Sequence, residues 1–183
     1  MFSLIKNYFF IFFLAFLSML SIIFFIVALI YPTLPNIDHL DVYRPKQPLQ
    51  VFSYEGYLIQ EFGEERRDFV SIKEVPQKMI NALLSIEDRR FFEHPGFDTI
   101  GFFRAAIRNL SGQSNEGAST ITMQVARNFF LSSERTLKRK INEILLAIKI
   151  ERKLQKEEIL ELYINQIYLG QRSFGFAAAA NTY

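Results

Sequence analysis

From Tyr8 to Ile30 the chain carries no charged residue and is almost wholly apolar, which constrains its fold more than any other stretch. As a helix these residues rise roughly 34 Å, enough to cross a bilayer. The apolar region of a cleaved signal peptide is shorter, about 7–15 residues, and is followed by a small-residue cleavage site that this sequence lacks. Residues 8–30 are therefore read as an uncleaved transmembrane anchor. Lys6 and the amino terminus flank one end, and Arg44 and Lys46 lie beyond the other. The positive charge is nearly balanced between the two ends, so the positive-inside signal is weak, and residues 1–7 are read as cytoplasmic with the remainder outside. The net charge of +2 is too small to imply nucleic acid. With no Cys, disulfides, thiolate nucleophiles and Cys-based zinc sites are excluded.

Pro32, Pro35, Pro45 and Pro48 mark residues 31–48 as a linker. Residues 49–62 alternate on both sides of Tyr54-Glu55-Gly56, the pattern of a β-hairpin, and Val70–Lys73 adds a further extended piece, giving a hairpin region over 49–73. From Pro76 onward the chain is helical, within a domain spanning 74–183. Helices are expected over 76–90 and 101–110. Another runs from a Ser119 cap to about Phe130, and the next from a Ser132 or Ser133 cap to about Leu154, with Glu134 in its first turn. A further helix covers 155–169 and ends at Gly170 as its C′ glycine. The polar stretch 111–117 is a loop.

Glu87 stands out on the first of these helices. Met79, Ile80, Leu83, Leu84 and Ile86 form an apolar arc, and Glu87 falls near its middle. A carboxylate on a buried face is either paired with a cation for structure or kept for proton transfer, because desolvation raises its pKa. Glu143 is a second covered acid, on a helix that is apolar on two sides. Between Arg127 and Lys140 lie five basic residues and one acid, Glu134. Such a block suits a phosphate group or makes a solvated helix face. Thr120, Gln124 and Arg127 form a polar stripe at i, i+4 and i+7. Paired acids, a basic cluster and a membrane anchor together point to glycosyl transfer beside a lipid-linked anionic substrate.

Five ordered segments carry a family resemblance. EDRRFFEHPGFD at 87–98 resembles E-D-x-x-F-x-x-H-x-G, the first motif of the peptidoglycan glycosyltransferases of family 51. GASTITMQVARN at 117–128, RKINE at 139–143 and KEEILELYINQIYLG at 156–170 resemble the second to fourth, and Arg172 with GFAAAANTY the fifth. The match is closest to class A penicillin-binding proteins. The resemblance implies a mainly α, lysozyme-like glycosyltransferase fold, here incomplete, with an N-terminal transmembrane helix and a short β-hairpin. It implies polymerisation of lipid II into β-1,4 glycan strands, with inversion and release of undecaprenyl pyrophosphate. Glu87 would be the general base and Glu143 the second acid. Arg104, Ser119, Thr120, Gln124, Arg127, Asn128, Arg135 and Lys140 would line the substrate cleft. No cofactor is required, although a divalent cation (Mg²⁺ or Mn²⁺) near Glu143 is admitted. His94 and Asp88 are expected to serve local structure, with a minor site role left open for Asp88.

The implied partners are lipid II, the nascent glycan strand, the membrane and envelope proteins of cell-wall synthesis. The implied location is the bacterial inner membrane, spanned once, with the catalytic part in the periplasm. Met123 and Asn142 depart from the family pattern, standing where a Gln and a Lys are usual. The chain ends within the fifth motif, so a truncated form, poorly stable and weakly active alone, is expected; the class A proteins it resembles carry a transpeptidase domain after this region. Two other readings remain open: an inactive membrane protein or scaffold, and a lysozyme-like or lytic transglycosylase acting on finished strands.

Overall fold

Helices dominate the computed structural model, which describes residues 2–40, 43, 45, 48–112, 117–132, 134 and 136–183. This agrees with a mainly α, lysozyme-like frame. The chain divides into two compact units, Met1–Pro35 and Asn36–Tyr183.

In the first unit, α1 (Phe2–Ile30) runs into a single 3₁₀ turn at Tyr31–Thr33, where Thr33 Oγ1 donates to the Ile30 carbonyl at 2.7 Å. Phe9, Phe12, Phe24 and Phe25 are exposed, and Phe9–Thr33 is long and apolar enough to cross a membrane. No part of that stretch is buried within the protein, so its apolar surface asks for lipid as its solvent.

The second unit begins inside the stretch read as linker. Ile37 and Leu40 are buried, His39 meets the Phe130 ring edge-on at 5.4 Å, and Tyr43 meets Phe129 at 4.7 Å. Strands β1 (Leu49–Phe52) and β2 (Leu58–Phe62) pair antiparallel as the expected hairpin, turning at Gly56 with φ +88°. The short β3 (Arg66–Arg67) pairs in parallel with β4 (Ser173–Phe174). Val70–Lys73 is not a strand. Its backbone bonds go to side chains of a distant helix: Asn165 holds Val70 N–H at 2.9 Å and its carbonyl at 2.8 Å, and Glu161 accepts from Ile72 N–H at 2.8 Å. Residues Ile72–Glu74 then close a 3₁₀ turn with a Ser71–Glu74 capping box.

The core is built by α4 (Ile121–Phe130), α5 (Leu137–Glu151) and α6 (Lys156–Gln166), with α4 packed on both of the others. Ile121, Met123, Val125, Leu146, Ile150, Ile159 and Ile164 are fully buried. Met123, which stands at a position usually polar in the family, is thus a core residue. Around this core lie α2 (Gln77–Glu87), α3 (Thr99–Leu110) and α7 (Phe176–Thr182).

Several helix ends differ from expectation. The hydroxyl that caps α4 is Thr120, accepting from Met123 N–H at 3.2 Å, because the Ser119 hydroxyl is engaged by Lys140. Thr136 caps α5 and accepts from Arg139 N–H at 3.1 Å, so Glu134 precedes the helix; Ser133 lies outside the described residues, as do 113–116 of the polar loop. At the end of α6 the cap is Ile167, and Gly170 with φ +92° instead sits in the turn leading to β4.

Gly96 fixes how the loop after α2 meets the core. Its φ is +94°, and a Cβ there would lie 2.9 Å from the Ala147 carbonyl carbon and oxygen in α5. Gly96→Ala is expected to cost about 2–4 kcal/mol, from the left-handed backbone and from overpacking against a backbone that cannot yield. Thermal unfolding in detergent measures it, and an unchanged midpoint would contradict the close packing.

Candidate active site

The first-motif helix ends earlier than its periodicity predicts, and this repositions its acid. α2 stops at Glu87, and Asp88 leaves the helix with φ −159° and ψ 76°. Only Ile80 of the apolar arc is buried, whereas Ile86 is 82% exposed. Glu87 is exposed, so the expectation of a carboxylate on a buried face is corrected. The Gln124 amide nitrogen donates to Glu87 Oε2 at 2.8 Å, which ties the end of α2 to the polar stripe of α4.

The buried acid of this pair is its neighbour. Asp88 accepts from His94 Nε2 at 2.9 and 3.1 Å and from Ile121 N–H at 3.0 Å. Gly96 N–H donates to His94 Nδ1 at 3.2 Å, so Nε2 carries the proton that goes to Asp88. The Asp88 charge thus sits at the amino end of α4, where the helix dipole favours it. Thr120 Oγ1 closes the arrangement by donating to the Gly96 carbonyl at 2.6 Å. Asp88 and His94 thus hold the loop against α4, and Asp88 also lines the cleft described below.

Glu143, on α5, is 0% exposed. Arg139, one turn earlier, donates to its Oε1, and Lys140 Nζ donates to Oε2 at 3.0 Å. Lys140 also donates to Ser119 Oγ at 2.6 Å. One buried carboxylate thus orients two cations and, through Lys140, the residue that precedes the α4 cap. Among the described residues no three His, Cys, Asp or Glu side chains gather as a metal site. Both Glu143 oxygens face cationic donors, so these residues as they stand do not fit a divalent ion.

A cleft of about 380 Å³ opens between α2, α3 and the start of α4. Glu87, Arg104, Ser119 and Thr120 line it. Gln124 and Lys140 are not lining residues, but each holds one that is, Glu87 and Ser119 respectively. Arg127 is half-buried and acts electrostatically on Lys140. Asn128 is exposed and lies outside the lining, and Arg135 falls outside the described residues. Arg108, which sequence reasoning passed over, also lines the cleft. Its spacing of one turn from Arg104 on the expected second helix was the available signal.

Burial lowers the Lys140 pKa from 10.5, and the Arg127 and Arg139 charges push the same way. A folded pKa below the unfolded one means that the charge costs stability near neutral pH. That cost fades as pH rises from the folded titration towards 10.5. Binding of inorganic pyrophosphate, followed by calorimetry, is expected to weaken at a lower pH than an ordinary lysine would dictate. Lys140→Arg should extend binding to higher pH, because arginine keeps its charge. Identical alkaline limbs for the two proteins would contradict a role for this ammonium.

Comparison with known proteins gives a consistent family. A family model described as Transglycosylase matches residues 55–183. Penicillin-binding protein 1A of Neisseria gonorrhoeae is 55% identical over 142 residues, which cover 77% of this chain and 18% of that protein. The protein of the same name from Escherichia coli (strain K12) is 55% identical over 137 residues, covering 74% of this chain and 16% of its own length. The chain therefore spans less than a fifth of the length of these curated relatives.

Proposed function

The chain belongs to the transglycosylase family, and from that premise we propose that it polymerises lipid II into β-1,4 glycan strands, releasing undecaprenyl pyrophosphate. The observation that carries the reading is the shared cleft. An exposed carboxylate, Glu87, stands in one wall with Arg104, Arg108 and Ser119, and Lys140 and Glu143 lie directly behind Ser119.

In the proposed step the Glu87 carboxylate removes the proton of the acceptor sugar's 4-hydroxyl. The freed oxygen forms a bond to C1 of the donor sugar, and the bond from C1 to the pyrophosphate oxygen breaks with its electron pair leaving on the phosphate. A single displacement converts the α-linked donor into a β-linked product and needs no covalent enzyme intermediate. Charge that develops on the departing pyrophosphate is met by Arg104, Arg108 and Lys140. Glu143 keeps Lys140 and Arg139 oriented towards this task rather than touching the sugar. Since Glu87 is exposed, its strength as a base depends on the two sugars displacing water around it.

The helix α1 would hold the enzyme in the inner membrane beside its lipid-linked substrate, with the second unit on the periplasmic side. Incubation with lipid II in detergent is expected to yield glycan strands, and incubation with finished strands to leave them intact. Cleavage of finished strands without any synthesis would favour a lytic activity and overturn the proposal.

A further inference from the structure

The fourth motif contributes no residue to the step above, yet its first residue stands where a cation is disfavoured. Lys156 opens α6, and the helix dipole there suits acids such as its neighbours Glu157 and Glu158. Its side chain is only 19% exposed, so the charge is also largely removed from water. Glu161 and Asn165 of the same motif are accounted for by their bonds to residues 70–72. The contacts of Lys156 go instead to the first and second motifs.

The ammonium donates to the His94 carbonyl at 2.7 Å and lies over the Phe91 ring, 4.4 Å from its centroid. It also donates to Glu151 Oε1, at the end of α5, at 2.7 Å. The same oxygen accepts from Thr122 Oγ1 of α4 at 2.5 Å. Phe91, His94 and Thr122 are all buried. Charge-assisted bonds shielded from water hold their members in place more firmly than a surface ion pair does. His94 is thereby fixed at three points: its carbonyl by Lys156, Nδ1 by Gly96 N–H at 3.2 Å, and Nε2 by Asp88 at 2.9 Å.

Lys156 does not line the cleft, so its route to the chemistry is through the segments it joins. One is the loop that starts at Asp88, directly after Glu87, and passes through His94. The other is α4, reached by way of Glu151 and Thr122. The bond from the Gln124 amide to Glu87 at 2.8 Å spans the same two segments, and Gln124 lies two residues after Thr122. The lysine network and the carboxylate's own support are thus two ends of one junction.

We propose that Lys156 is a positioning residue of the active site: by tying the His94 carbonyl to Glu151 and Thr122, it sets how the loop stands on α4 and so aims the Glu87 carboxylate. The inference rests on the reading of Glu87 as the base. It gives the fourth motif a part in the reaction through a residue that does not meet substrate.

Lys156→Met together with Glu151→Met removes both charges and keeps two unbranched side chains of similar length, a kind of exchange that folds often tolerate. Thermal unfolding of this protein should stay within roughly 4 °C of the parent. Steady-state polymerisation of lipid II by the full chain, at a temperature where both proteins are folded, should show kcat lower by about tenfold with KM unchanged, as expected when a reacting group is misplaced. In a Glu87→Gln background the paired substitution should have no further effect on the residual rate. Lys156→Arg, which keeps a cation with donors for both oxygens, should retain kcat within about threefold. A parental kcat in the paired variant, with Glu87→Gln inactive, overturns this inference and leaves the base assignment standing. A raised KM with unchanged kcat, or a further tenfold loss in the Glu87→Gln background, also overturns it. Full activity in Glu87→Gln instead overturns the base assignment itself.

Discussion

Replacing Glu87 by Gln is expected to lower the rate of lipid II polymerisation by at least about a hundredfold, the lower range for loss of a general base. The fold should not notice. Glu87 is exposed at the last residue of α2, and among the described residues it accepts a hydrogen bond from the Gln124 amide. The carbonyl of the new Gln can still accept that bond, and it fills the same space. Surface changes of this kind usually stay within about 0.5 kcal/mol. Initial rates and thermal unfolding on the same preparation test both halves. A large loss of stability would return Glu87 to a structural role, and retained synthesis would end its assignment as the base.

At the next position the expected result is reversed. Asp88→Ala should destabilise the second unit by about 3–5 kcal/mol, because it leaves a buried histidine N–H and the first amide of α4 without their acceptor. For a unit of this size the midpoint of thermal unfolding should fall by roughly 10 °C or more. Asp88→Asn should cost less, since one oxygen can still accept from Ile121 N–H. Its amide hydrogens, however, would face the N–H of His94, whose Nδ1 is already occupied by Gly96. An Asp88→Ala protein that is as stable as the parent but inactive would show that the carboxylate acts in chemistry instead. Two adjacent acids in one motif are thus separated by which one the loop buries.

Features that depend on a single segment are easier to read from the sequence than those that depend on partners distant in it. The membrane-length helix, the hairpin and the order of the helices are all legible, because each depends on composition or periodicity within one segment. Glu143 is legible for the same reason: a helix apolar on two sides must bury what lies in line with them, and it is 0% exposed. The wheel misled at Glu87. It assumes that the helix continues and that its apolar arc meets a core, whereas Asp88 is drawn out of the helix by His94 and Ile121, and Ile86 is left 82% exposed.

Caps failed in a similar way. Ser119 and Thr120 are both competent hydroxyls, and the choice is made by Lys140 on one and the Gly96 carbonyl on the other, partners distant in sequence. Val70–Lys73 has the composition of a strand, but Asn165 and Glu161 supply its bonds, so no neighbouring strand is required. Arg108 is of another kind: it needs a neighbour in space, the cleft, before its residue type acquires a meaning.

The central claim is a single inverting displacement from a lipid pyrophosphate. It is tested most directly by incubating the full chain with isotopically labelled lipid II and reading the anomeric configuration of the first bond formed, together with the lipid pyrophosphate released. A β linkage and one pyrophosphate for each bond are expected. An α linkage, or pyrophosphate released without any new glycosidic bond, would contradict it.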